Sequence, residues 1–208
     1  MRDVRRPADW LPRMRAQAGA ALLTALFVVL AVTMVALGMA RIAFDAERGA
    51  RAERDRALAF AAAEAGLADA ERDIEGGADP ASLRASMFHD DGAVGFVPGC
   101  GRDVANLGLC AYSQGGPPAW QLVDVAATAP YGSYTGAVLP VLPYGGPLPL
   151  APPRYVIELM PTAGAGEDAG SGGQHVFRIT AFGYGARAGT MVVLQSVYRG
   201  VGGAVGQP

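Results

Sequence analysis

Lysine is missing from this 208-residue chain, and all 17 of its cationic side chains are arginine. That absence removes P-loop phosphate binding, which places a lysine on the β- and γ-phosphates, and Schiff-base catalysis, which needs an amine nucleophile. Histidine is nearly as scarce. Only His89 and His175 occur, neither has an evident catalytic partner, and His175 opens a predicted strand where edge packing is its expected role. The triplet His89-Asp90-Asp91 is a candidate cation site, although an isolated acidic turn is more often a solvated loop. The glycine clusters at Gly164–Gly166 and Gly170–Gly173 lack the strand, glycine turn and helix that phosphate cradles require. No G-x-S-x-G, H-E-x-x-H or C-x-x-C sequence is present, so an enzyme is the weakest functional class and no cofactor is expected. A formal charge of -2 and a pI near 5.7 leave no basic surface, and nucleic acid is not expected as a partner.

What the chain does have is a long uncharged run, AALLTALFVVLAVTMVALGMA, from Ala20 to Ala40. As a helix, about 20 residues rising roughly 1.5 Å each match a bilayer's hydrocarbon thickness of roughly 30 Å. Arg2, Arg5, Arg6, Arg13 and Arg15 precede it against Asp3 and Asp9. The positive-inside rule therefore keeps the N-terminus cytoplasmic and exports everything after Arg41, making a single pass through an inner membrane. Two rivals are an ordinary secretory signal cut after Ala40, at Gly38-Met39-Ala40, and a plain single-pass anchor. The secretory reading needs an apolar region of about 20 residues where about 7 to 15 is usual.

Arg41 to Ile74 contains no proline and is dominated by Ala, Arg, Glu and Leu, so the helix is expected to continue past the bilayer. In its distal half, Phe60, Ala63, Leu67, Ala70 and Ile74 recur at three-and-four spacing and define one apolar face. Glu64, Asp69, Glu71, Arg72, Asp73 and Glu75 are expected mostly off that stripe, and Gly76-Gly77 reads as a stop. The proximal half is polar all round, which fits a solvated stalk or a segment held by neighbouring subunits.

After Gly76 the composition shifts to Gly, Pro and small residues. Strands are predicted at Arg154–Met160, from His175 to Phe182 and from Thr190 to Arg199, with a hairpin connection at Gly183–Gly189 and a glycine-rich loop at 161–174. Packing these strands on the apolar stripe buries both faces. The expected fold is therefore α+β: a long N-terminal transmembrane and assembly helix on a small antiparallel sheet. The organisation reads as a leader over 1–19, a hydrophobic then amphipathic helix over 20–75 and an exported β-rich head over 76–208. Export to an oxidising compartment favours a disulfide between Cys100 and Cys110. The short loop it closes makes it a staple contributing roughly 2 to 3 kcal/mol. Free thiols or a metal pair are the alternatives, and no further Cys or suitably spaced His completes a zinc site. The proline-rich stretch from Val138 to Pro153 reads as a surface crossover rather than a recognition segment.

The basic leader, a glycine placed before the apolar run and the uninterrupted helix resemble a type IV prepilin. More specifically, RDRALAFAAAEAGLADAERDI at Arg54–Ile74, GLC at Gly108–Cys110, RYVIELM at Arg154–Met160, FRITAFGYG and VVLQSVYR are similar to the PilX-type minor pilins. The resemblance leaves roughly Pro117 to Pro153 uncovered. It implies peptidase cleavage between Gly19 and Ala20, a retained and N-methylated apolar segment, and no enzymatic activity. Most pilins carry glutamate as the fifth mature residue, where it neutralises a neighbour's N-terminal amine; here that position is Thr24. PilX-type pilins and the tip pseudopilin of type II secretion share such departures, which suits a subunit at the filament tip. The implied partners are other minor and major pilins, the prepilin peptidase and a PilY-family tip adhesin. The implied role is priming the filament or sitting in its tip complex. Two alternatives stand beside it: a type II secretion tip pseudopilin, and a membrane-anchored or secreted periplasmic protein with an unrecognised ligand or enzymatic site.

Overall fold

A computed structural model of the protein describes residues 18–89, 94–139, 148–161 and 176–199. The basic leader residues, Asp90, Asp91, the glycine-rich loop with His175, and 140–147 of the proline-rich stretch lie outside the described residues. Helix α1 runs from Ala18 to Ile74, 57 residues without a break. The chain divides into two compact units, residues 1–50 and 51–208. In the first, every described side chain from Ala20 onward is exposed, including Leu22, Phe27, Leu30 and Leu37. That helix is long and apolar enough to cross a membrane.

In the second unit α1 ends in a Schellman turn. The Gly77 amide donates to the Arg72 carbonyl (2.9 Å) and the Gly76 amide to that of Asp73 (3.2 Å). Gly76 takes a φ of 117°, a conformation costly for any residue with a Cβ. A short helix, α2 (Leu83–His89), follows, then strand β1 (Leu109–Ala111), helix α3 (Ala119–Leu122), a 3₁₀ turn (Val125–Ala127) and strand β2 (Ala129–Pro130). The long strands β3 (Arg154–Met160), β4 (Val176–Tyr184) and β5 (Met191–Arg199) complete one sheet in the order β1-β3-β4-β5, with β2 also on β3. The three long strands pair antiparallel, Tyr155 opposite Ala181 and Phe182 opposite Val193. The sheet as a whole is mixed rather than wholly antiparallel, because β1 runs parallel to β3 with Leu109 opposite Ile157.

Alternation divides the sheet's faces. Tyr155 and Ile157 of β3 and Phe177, Ile179 and Ala181 of β4 join Ala70 and Ile74 of α1 in the main core. The rings of Phe88, Phe96 and Phe177 close one end, with centroids 5.7 to 6.0 Å apart. Each fully buried side chain of this size contributes roughly 1.5 to 3 kcal/mol. On the opposite face Val156 and Phe182 pack with Cys100, Cys110 and Ala127, under cover from Trp120 and Val123. Cys100 and Cys110 form a disulfide.

The apolar stripe of α1 needs one correction. Ala63 and Ala70 are fully buried, Ile74 is 2% exposed and Leu67 is half-buried, but Phe60 remains 44% exposed. The buried face is centred instead on Ala59, Ala62, Ala63 and Gly66. The reason is proximity: a Cβ built on Gly183 of β4 would strike the Ala59 carbonyl oxygen and the Ala63 amide nitrogen. Helix and strand meet nearly backbone to backbone, and a phenylalanine ring has no space between them.

Candidate functional site

Three carboxylates project from α1 onto the head. Asp55 and Asp73 are 18 residues apart, five turns at about 3.6 residues each, and therefore share a face. Asp69 sits one turn before Asp73. All three are buried, at 7%, 0% and 2% exposure, which corrects the expectation that Asp69 and Asp73 lie off the packed stripe. Burying a carboxylate is costly unless its oxygens accept hydrogen bonds, so the partners explain the burial.

Asp55 accepts the backbone amides of Ala186 (2.6 Å) and Arg187 (3.3 Å) in the β4–β5 turn. Asp69 accepts the Gly132 amide (2.7 Å) and the Thr135 hydroxyl, fixing the turn that follows β2. Asp73 receives Arg84 of α2 through Nε at 2.8 and 2.9 Å and through Nη2 at 2.6 Å, and also the Tyr155 hydroxyl of β3 at 2.9 Å. Arg84 spends Nη1 on the carbonyls of Ala105 (3.1 Å) and Leu107 (3.0 Å), and its guanidinium lies 3.5 Å from the centre of the Tyr134 ring. Desolvation opposes the charge on Arg84, but its hydrogen bonds to Asp73 and the attraction of that carboxylate together outweigh it and hold the pKa above the usual arginine value. Burial, then the adjacent Asp73 charge, push the Tyr155 hydroxyl far up, so it remains a proton donor.

The Asp55 contact has a testable pH dependence. The Thr190 side chain, followed by the two turn amides, bonds the ionised carboxylate and lowers its pKa from 3.8 despite a desolvation cost. The unfolded chain then takes up the proton first as pH falls. This contact stabilises the head above about pH 3.8 and is lost as pH drops through the lower folded value. Hydrogen-exchange protection of the Ala186 and Arg187 amides should therefore hold steady above that point and fall below it. Asp55→Asn should leave both amides weakly protected and flat with pH. A wild-type profile that is equally flat would show that the carboxylate charge does not hold the turn.

On the far side of the sheet Glu158, fully buried, accepts Arg178 Nε (2.9 Å) and Nη2 (2.7 Å) and the more distant Ala119 amide (3.4 Å). The hydrogen bonds to Glu158 keep the Arg178 pKa raised. Two depressions open on the head. One, about 430 Å3, is bordered by Gly77, Ser82, Arg84, Val104 and Tyr134. The other, about 340 Å3, is apolar, with Trp120, Val123, Phe182, Tyr184, Met191 and Val193. The acidic side chains described above already have donors, and among the described residues no group of three His, Cys, Asp or Glu side chains is placed to hold a metal. Among the described residues the arrangement ties a helix to a head through paired charges.

Gly19 and Ala20 lie in the first turn of α1. The Thr24 hydroxyl donates to the Ala21 carbonyl of its own helix (3.0 Å). His89 is exposed at the end of α2. Sequence reasoning missed Asp55, Asp69, Asp73, Arg84 and Tyr155 as a set. The available signal was the spacing of Asp55, Asp69 and Asp73 on the same face as the buried alanines.

Comparison with known families gives two matches. The model described as PilX N-terminal matches residues 18–68, and the one described as type IV pilus assembly protein PilX C-term matches residues 106–200. No curated protein and no solved structure matches the chain.

Proposed function

Since the chain belongs to the PilX family of type IV pilus assembly proteins, matching its N-terminal and C-terminal models in order, we propose that this minor pilin primes the filament or occupies its tip complex. The family is one of structural pilus proteins, and the proposed action is binding, with no chemical step. The apolar segment of α1 is a single-pass membrane anchor. In this reading the N-terminus faces the cytoplasm, the head faces the periplasm, and the same helix later packs among other pilin helices.

The observation that carries the tip assignment is Thr24. A carboxylate within the hydrocarbon layer is retained only when it meets a charged partner. Thr24 supplies no charge: its hydroxyl proton goes to the Ala21 carbonyl, and what remains is a neutral acceptor. A subunit built this way offers a neighbour's amine no carboxylate, which suits an end position better than repeated insertion along the shaft. The proposed partners are other pilins, with a PilY-family adhesin at the tip and the prepilin peptidase acting once at Gly19.

Deleting the gene is expected to remove most surface pili and twitching motility, and restoring it should return both with a mature chain that begins at Ala20. Counting pili by electron microscopy and sequencing the membrane-extracted N-terminus check the two halves. Unchanged piliation after deletion would overturn the priming role. A start at Arg41 or an intact Met1 would overturn prepilin processing. A defect confined to protein secretion would favour the pseudopilin reading.

A further inference from the structure

The two edges of the head's sheet are built differently. At one edge β1 has three residues, its Ala111 amide bonds the Val97 carbonyl (3.0 Å), and the Cys100–Cys110 disulfide staples it to the preceding loop. That edge is short and covered. At the other lies β5, MVVLQSVYR, nine residues paired with β4 along its whole length without a bulge. Among the described residues no strand pairs with its outer side.

Proteins blunt exposed edges with short strands, prolines, bulges, charges or covering loops. From Met191 to Tyr198 the strand carries no charge and no proline, and only Arg199 at its end is ionised. Alternate residues of an antiparallel edge strand direct their N–H and C=O groups outward. Over nine residues at about 3.3 Å each, these groups form a row roughly 30 Å long. Their regular two-residue repeat fits another extended chain; a helix, whose own backbone groups are paired internally, does not meet it.

The side chains narrow the chemistry further. On the face away from α1, Met191 (52% exposed) and Val197 (72%) are open, while Met191 and Val193 also border the apolar groove beside Trp120 and Phe182. An incoming strand would lay every second side chain along this face, where the edge strand itself carries no charge from Met191 to Val197 and the neighbouring Arg178 is already paired with Glu158, so uncharged side chains suit it and only Arg199 at the end offers a charge.

We propose that the outer edge of β5 is a strand-addition site for an extended, uncharged segment of another pilus subunit, with alternating apolar residues facing the Trp120–Met191–Val193 groove. The proposal rests on the assembly role argued above and adds the surface and the form of the partner.

The test places a photo-crosslinking amino acid, one position at a time, at Met191, Val193, Gln195 and Val197 of the full-length chain in cells assembling pili. Adducts are then mapped by mass spectrometry. The expected result is attachment to one non-self segment, the attachment point moving two residues along it for each two-residue step on β5. Adducts to a second copy of this chain, to its own residues 200–208, or without a constant register would overturn the proposal, as would no adduct. As a second variant, the double substitution Gln195→Lys and Val197→Lys puts charge on exposed edge positions. The variant gives up the bond from Gln195 Nε2 to the Thr180 hydroxyl (2.9 Å) and sets a lysine opposite Arg178, so a small fall in unfolding temperature with the head still folded is expected, alongside a fall in adduct yield at Val193 on the order of tenfold. Undiminished yield would overturn the proposal. Either failure, with processing at Ala20 and the deletion phenotype intact, removes the edge site and leaves the assembly role standing.

Discussion

Arg84→Met is expected to cost the head about 3 to 5 kcal/mol, the usual penalty for stripping one partner from a buried ion pair. Arg84 and Asp73 are 5% and 2% exposed at their side chains and meet at 2.6 Å. With the guanidinium gone, Asp73 retains only the Tyr155 hydroxyl among the donors described, and the carbonyls of Ala105 and Leu107 lose theirs. The loss is large because a domain of this size is stable by only about 5 to 15 kcal/mol in total. Chemical denaturation of the detergent-solubilised full chain, followed by tryptophan fluorescence, measures it. The double variant Asp73→Leu with Arg84→Met should recover part of the deficit, because removing both charges together is far cheaper than removing one. Recovery stays incomplete, since the Tyr155 hydroxyl and the two carbonyls still lack partners. A wild-type midpoint for Arg84→Met would mean that the ion pair adds nothing to stability.

Gly183→Ala is expected to destabilise the head by about 1 to 3 kcal/mol or more, the range for overpacking a tight contact. The added methyl would meet the backbone of α1 at Ala59 and Ala63, with the Ala63 Cβ only 2.8 Å away. A flexible side chain could swing aside; a helical carbonyl bonded within its own helix cannot, so helix and strand must separate. Gly66→Ala makes a graded comparison, because its new Cβ would lie 3.2 Å from that of Ala181, a contact relieved by a small shift. Gly49→Ala should have the opposite sign, because nothing lies within 4 Å of that position. Alanine for glycine inside an open helix is worth about 0.5 to 1 kcal/mol. Unfolding midpoints ranked Gly49→Ala above wild type, then Gly66→Ala, then Gly183→Ala support the close approach. Equal midpoints for the last two would contradict it.

The elements readable in advance were those whose pattern is local. An uncharged run followed by Ala, Arg and Glu without proline gave α1, and alternating β-branched and aromatic residues located β3, β4 and β5 to within two residues at their starts. The strands β1 and β2, at three and two residues, are too short to show a period. The buried carboxylates were hidden for a different reason. Asp73 and Asp69 look solvated in sequence, because the groups that make burial tolerable lie 11 and 82 residues from Asp73 and 63 from Asp69. Phe60 misled in the opposite direction: its hydrophobicity suggested a core position, but the clearance between α1 and β4 admits only small residues.

The spacing of Asp55, Asp69 and Asp73 also bears on mechanics. Their 18-residue span covers about 27 Å of helix at about 1.5 Å per residue. Tension drawn along α1 therefore reaches the head at three attachments that lie side by side along the pulling direction. Each is strained in shear and shares the force. A head fastened at a single end would instead peel open one contact after another under the same pull.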